Sequence, residues 1–130
     1  MKNFSYIVLL LLFVTISCEK PTEHRVVTPE EMEELIEFEN IQLIDVRSVE
    51  DYLLKHLKGA QRIELDDDFD ANISYLDKSK PVAIYCNTGR SAKEFAEKLK
   101  EKGFVKIYEL KDGIEGWESS MYFIYEDASI

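Results

Sequence analysis

The sequence predicts an α/β fold: a single domain with a central, mainly parallel β-sheet flanked by helices on both faces. Residues 41–46, 81–86 and 105–110 are largely apolar runs of strand length. They lack the alternation of a one-sided sheet and suit strands covered on both faces. Between the second and third runs, Ala92, Phe95, Ala96 and Leu99 recur at helical spacing and stop at Gly103, so strand, helix and strand follow in order as a βαβ unit. A length of 130 residues, 45% of them hydrophobic and 32% charged, suits one globular domain.

Taken from the N-terminus, residues 1–17 hold Lys2 as their only charged side chain. Lys2 and Asn3 make a short positive start, and the apolar run over 7–13 has the length of an export-signal core. A membrane-spanning helix needs about 20 apolar residues. Val14-Thr15-Ile16-Ser17-Cys18 resembles a bacterial lipoprotein processing site, with Thr15 where Leu is usual. That resemblance implies cleavage before Cys18, a lipid on its thiol, and an exported protein anchored at the membrane on the periplasmic or cell-surface side. The alternative is plain secretory cleavage or an uncleaved anchor, with Cys18 incidental. In the lipoprotein reading Cys86 is the one thiol left, and the mature chain is one unit more negative.

Residues 18–25 read as a polar tether leading into a first small strand, with the domain spanning 26–125 and a tail at 126–130. Thr28-Pro29-Glu30-Glu31 has the capping-box spacing with Pro at the first helical position, and Met32, Leu35 and Ile36 supply the apolar stripe of a short helix. Asp66, Asp67, Asp68 and Asp70 form the densest acidic stretch, but they lack the spacing and distal Glu of a calcium loop, so a solvated helix start is expected. Trp117 and the aromatic stretch from Tyr122 to Tyr125 read as core and edge packing.

Composition excludes several functions. With 16 Lys+Arg against 26 Asp+Glu, the net charge of −10 repels phosphate backbones, so no nucleic-acid partner is expected. Two cysteines make no disulfide framework. Two histidines far apart and one available thiol suggest no metal site, and no cofactor is expected.

The chemistry gathers where the strand at 81–86 turns into the following helix. Cys86-Asn87-Thr88-Gly89-Arg90-Ser91 fills that turn. Ligands of open α/β sheets bind beyond the carboxyl ends of strands, and helix starts present amide N–H groups to anions. Gly89 allows a left-handed or tight conformation in which successive amides turn inward. A thiolate or persulfide at the centre is stabilised by those amides, by the helix dipole and by Arg90, which makes Cys86 a candidate nucleophile. The bland alternative is a buried strand-end cysteine beside a solvent-facing turn.

Two flanking segments narrow the choice. Ile44-Asp45-Val46-Arg47 followed by Glu50, Tyr52, His56 and Gly59-Ala60, then Tyr85 to Gly89, then Gly103-Phe104, Val105, Tyr108, Leu110, Gly113-Ile114 and Trp117 resemble three ordered signatures of the single-domain rhodanese-like, or sulfurtransferase, family. Lys55 and Asp112 each stand where that family usually has Gly. The resemblance implies that Cys86 takes a sulfane sulfur from a donor such as thiosulfate or a persulfide, and passes it to a thiol or cyanide acceptor. It also implies that Asn87, Thr88, Gly89, Arg90 and Ser91 bind the substrate. Family members commonly read C-x-x-G-x-R-S where this loop reads C-x-x-G-R-S, so whether Arg90 meets substrate or solvent stays open.

Asp45, Arg47 and Glu50 are expected to form a structural ion cluster at a strand end, and His56 to stabilise a turn. Three function classes compete: a persulfide-forming sulfurtransferase, a non-catalytic rhodanese-like module that binds an anion or a protein, and a related phosphatase or arsenate reductase. A cysteine phosphatase needs C-x5-R, and position 92 is Ala. Arsenate reduction calls for additional reactive cysteines. The presence of Cys86 favours the sulfurtransferase.

Overall fold

The structure, a computed structural model, describes residues 20–38 and 40–120. The residues read as an export signal, Cys18, Tyr122 to Tyr125 and the residues read as a tail lie outside these residues. Strands β1 (Glu23–Val27), β2 (Gln42–Asp45), β3 (Gln61–Arg62), β4 (Val82–Tyr85) and β5 (Lys106–Leu110) form one sheet in the order β1-β5-β4-β2-β3. Every pairing is parallel. Parallel neighbours need crossovers, and each connection carries a helix: α1 (Pro29–Phe38), α2 (Val49–Leu54), α3 (Phe69–Asn72) and α4 (Arg90–Glu101). A last helix, α5 (Gly113–Ser119), follows β5.

The central strand β4 is buried along its whole length, and its side chains alternate between two cores. Val82, Ile84 and Cys86 join Ile44 and Ile107 beneath α3 and α4, where Phe69 meets Phe95 edge-on at 5.1 Å between ring centroids. Ala83 and Tyr85 join Leu43 and Tyr108 on the other face, covered by Met32 of α1 and by Ile114 and Trp117 of α5. Burial on both faces accounts for the near-continuous apolar runs.

Local signals set the helix ends. The Thr28 hydroxyl accepts from the Glu31 amide at 3.3 Å while Glu31 accepts from the Thr28 amide at 2.9 Å, which completes the capping box. Helix α4 buries Ala92, Phe95, Ala96 and Leu99 and carries Lys98 and Lys100 in its last turn, where the helix dipole favours cations. Asp68 stands at the start of α3, beside Asp66, whose carboxylate accepts from the Asp68 amide and from Asn72.

Two features depart from expectation. The first strand begins at Glu23, inside the span read as tether, because its ladder with β5 is made by backbone groups that the polar sequence Glu23-His24-Arg25 does not reveal. The short helices α2 and α5 carry little periodic signal of their own. Phe95 is fully buried whereas Phe38 is 77% exposed. Urea unfolding of Phe95→Ala is therefore expected to show a loss of about 3–5 kcal/mol, and Phe38→Ser a change within about 0.5 kcal/mol.

Candidate active site

Cys86 follows the last residue of β4 and stands 4% exposed at the carboxyl end of the sheet. Its Sγ accepts the Gly89 amide N–H at 3.0 Å. Gly89 adopts φ 100°, a left-handed conformation that a side chain would strain, and α4 begins at the next residue. The turn thus bends back on the sulfur and brings a helix N-terminus up to it. That is the setting in which a sulfur anion is stabilised.

A second helix fixes the turn from behind. The amide of Ile114 donates to the Cys86 carbonyl at 2.9 Å and that of Glu115 to the Asn87 carbonyl at 3.2 Å. These N–H groups of the first turn of α5 have no partner within their own helix. Because a peptide unit is planar and trans, anchoring a carbonyl aims the following N–H the opposite way. The amides of Asn87 and Thr88 are therefore turned away from α5. The approach is close enough that a Cβ built on Gly113, itself at φ 60°, meets both carbonyl oxygens at 2.4 Å.

The Asn87 side chain is held as well. Its Nδ2 donates to Asp51 at 3.2 Å, and its Oδ1 accepts from Arg47 Nη1 at 3.5 Å. Arg47 in turn is buried against Asp45, with Nη2 2.7 Å from Oδ2 and Nε 3.1 Å from both carboxylate oxygens, and Nη2 also donates to the Lys55 carbonyl at 2.6 Å. Burial acts to lower the guanidinium's pKa, but the hydrogen bonds and charge of Asp45 outweigh it and leave Arg47 above its ordinary value. Tyr85 lies under Arg47. Burial, together with the Asp45 carboxylate, pushes its hydroxyl far above the usual tyrosine range, so it stays neutral while accepting the Leu57 amide at 3.0 Å.

The expected cluster of Asp45, Arg47 and Glu50 therefore needs correction. Glu50 is exposed in the first turn of α2, and the acid that reaches the loop is its neighbour Asp51. Helical rotation of one residue, about 100°, separates the two side chains. His56 is buried, stacks on Tyr52 at 4.0 Å between ring centroids and shares a 2.9 Å hydrogen bond with the Tyr52 carbonyl, in keeping with a role in the turn.

Thr88, Arg90 and Ser91 are exposed on the loop and the first turn of α4. Among the described residues no hydrogen bond joins Arg90 to Cys86. Thr88 and Gly89 instead line a cavity of about 420 Å³ together with Lys93, His24 and Glu109. The last two were missed in the sequence. Glu109 sits inside a run that reads as apolar, and His24 in a segment that reads as tether. Only the β1–β5 register brings them together, with Nε2 2.5 Å from Glu109 Oε2.

Replacing Gly113 by Ala forces the α5 start off the loop. Chemical denaturation is expected to show a loss of about 2–4 kcal/mol, and the Gly89 amide resonance is expected to shift as its contact with Sγ changes.

Comparison with known proteins agrees with this geometry. The Rhodanese-like domain family matches residues 28–120. The thiosulfate sulfurtransferase GlpE of Actinobacillus pleuropneumoniae serotype 5b (strain L20) is 32% identical over 94 residues, covering 72% of this chain and 86% of the relative. The protein of the same name from Coxiella burnetii (strain RSA 331 / Henzerling II) is 33% identical over 86 residues, covering 66% and 79%. The solution structure of the rhodanese-like domain of the Anabaena sp. Alr3790 protein superposes with a TM-score of 0.70 at 23% identity, over 79% of this chain and 80% of that one. By its sequence match and by its all-parallel five-stranded fold, the chain belongs to the rhodanese-like domain family.

Proposed function

We propose that the chain is a sulfurtransferase in which Cys86 carries the transferred sulfur as a persulfide. The observation that carries this reading is the Cys86 thiol at the carboxyl end of β4, with its Sγ accepting the Gly89 amide at the start of α4. The names of the GlpE relatives supply the donor class. In the first step the Cys86 thiolate attacks the sulfane sulfur of thiosulfate, the S–S bond of the donor breaks, and sulfite leaves with the bonding pair. In the second, a thiolate or cyanide attacks the outer sulfur of the persulfide, and the pair of the Cys86 S–S bond returns to Cys86 as thiolate. The Cys86 thiolate and the persulfide are both sulfur anions suited to the same turn.

The net charge of −10 slows capture of a dianion by long-range repulsion, so a neutral or protein-bound persulfide donor is the stronger candidate in the cell. The same reading keeps the sulfur carrier at the envelope, tethered through a lipid on Cys18.

Peptide mass analysis after treatment with thiosulfate is expected to find one added sulfur atom on the peptide containing Cys86, and turnover is expected to vanish in Cys86→Ser. An unloaded, unoxidised Cys86 with turnover equal to that of Cys86→Ser leaves only the anion- or protein-binding module. For the anchor, a tagged fatty acid fed to cells is expected to label the wild-type chain and spare Cys18→Ala. Equal labelling removes the anchor.

A further inference from the structure

Glu109 is the one acidic residue on β5, and it is only 5% exposed. Its register partner is Ile84, two positions before Cys86, so it faces the same side of the sheet as the thiol, beneath α4. Burying a carboxylate there is costly unless it is paired, and the partner is His24 from the edge strand at 2.5 Å. The other ring nitrogen of His24, Nδ1, lies 3.8 Å from Glu97, so the ring stands between two carboxylates.

His24 and Glu109 line the cavity together with Thr88 and Gly89, and the Gly89 amide N–H donates to Cys86 Sγ. Its volume of about 420 Å³ falls within the range of small-molecule sites. The remaining charged groups around it are Lys93, Lys111 and Asp112, and among the described residues none of the three makes an ion pair. In a chain with a net charge of −10 this is a place where positive and negative groups balance locally. We propose that the cavity holds the sulfur acceptor and selects a small thiol that carries both an ammonium and a carboxylate, an amino-acid-type thiol. Lys93 and Lys111 take the carboxylate, Asp112 the ammonium, and the His24–Glu109 pair forms a polar floor. A thiol without charges leaves these groups solvated and gains nothing from them, and a purely anionic one leaves Asp112 opposing it.

This inference rests on the persulfide reading, and the two are separated by measuring binding and sulfur discharge apart. In the full chain carrying Cys86→Ser, S-methyl-L-cysteine, which cannot accept sulfur, is titrated while the amide resonances of Thr88 and Gly89 and the ring of His24 are followed. Saturable shifts are expected. They should need about tenfold more of the uncharged thioether 2-(methylthio)ethanol, and about tenfold more S-methyl-L-cysteine in Lys93→Gln/Lys111→Gln. Sulfur-loaded wild type should then discharge to L-cysteine with a lower KM than to 2-mercaptoethanol, mercaptoacetate or cysteamine. Equal binding of the uncharged thioether, or no loss in the double variant, overturns the inference while leaving the persulfide intact. Zwitterion binding by a chain whose Cys86 never gains sulfur overturns the acceptor role and the sulfurtransferase reading together.

Discussion

The constraint on which the site depends is the contact between the start of α5 and the backbone of the Cys86 turn. Two amides that α5 cannot satisfy internally are spent on the carbonyls of Cys86 and Asn87. Planarity of the peptide unit then turns the intervening N–H groups away from the helix. Gly113 permits the approach, since a side chain there collides with both carbonyl oxygens. An element outside the strand–turn–helix unit thus sets the direction of the turn's hydrogen bonds.

From the other side, the buried Asp45–Arg47 pair performs a related task. Arg47 is saturated by Asp45 and by the Lys55 carbonyl, and its remaining reach goes to Asn87, which Asp51 also holds. Removing one partner of such a buried pair costs about 3–5 kcal/mol and leaves an uncompensated charge. The loop residue after Cys86 is consequently fixed through its main chain by α5 and through its side chain by Arg47 and Asp51. Placing the fixed backbone at the carboxyl end of β4 lets a rigid, fully buried strand carry the thiol.

Much of this was legible in the sequence, and the reasons differ by feature. The runs at 41–46, 81–86 and 105–110 announced strands because both faces of the sheet are covered, and the α4 stripe announced its helix because one face alone is buried. The Cys86 turn showed itself through Gly89, where the backbone needs a left-handed residue. Asp51 was mistaken for Glu50 because two adjacent acids are equivalent in composition, while helical rotation gives only one of them to the loop. His24 and Glu109 could not be joined, since strand register between residues 85 apart is a tertiary fact. Likewise β1 was read two or three residues late, because an edge strand needs no apolar sequence to pair.

In the proposed function the turn held by α5 stabilises a sulfur anion on Cys86. A crystal structure of the chain after loading with thiosulfate tests it most directly. The predicted result is an outer sulfur on Cys86 within hydrogen-bonding distance of loop amides, with the Cys86 and Asn87 carbonyls still bound to Ile114 and Glu115. An outer sulfur directed into solvent, or a loaded Cys86 whose turn has left α5, contradicts it.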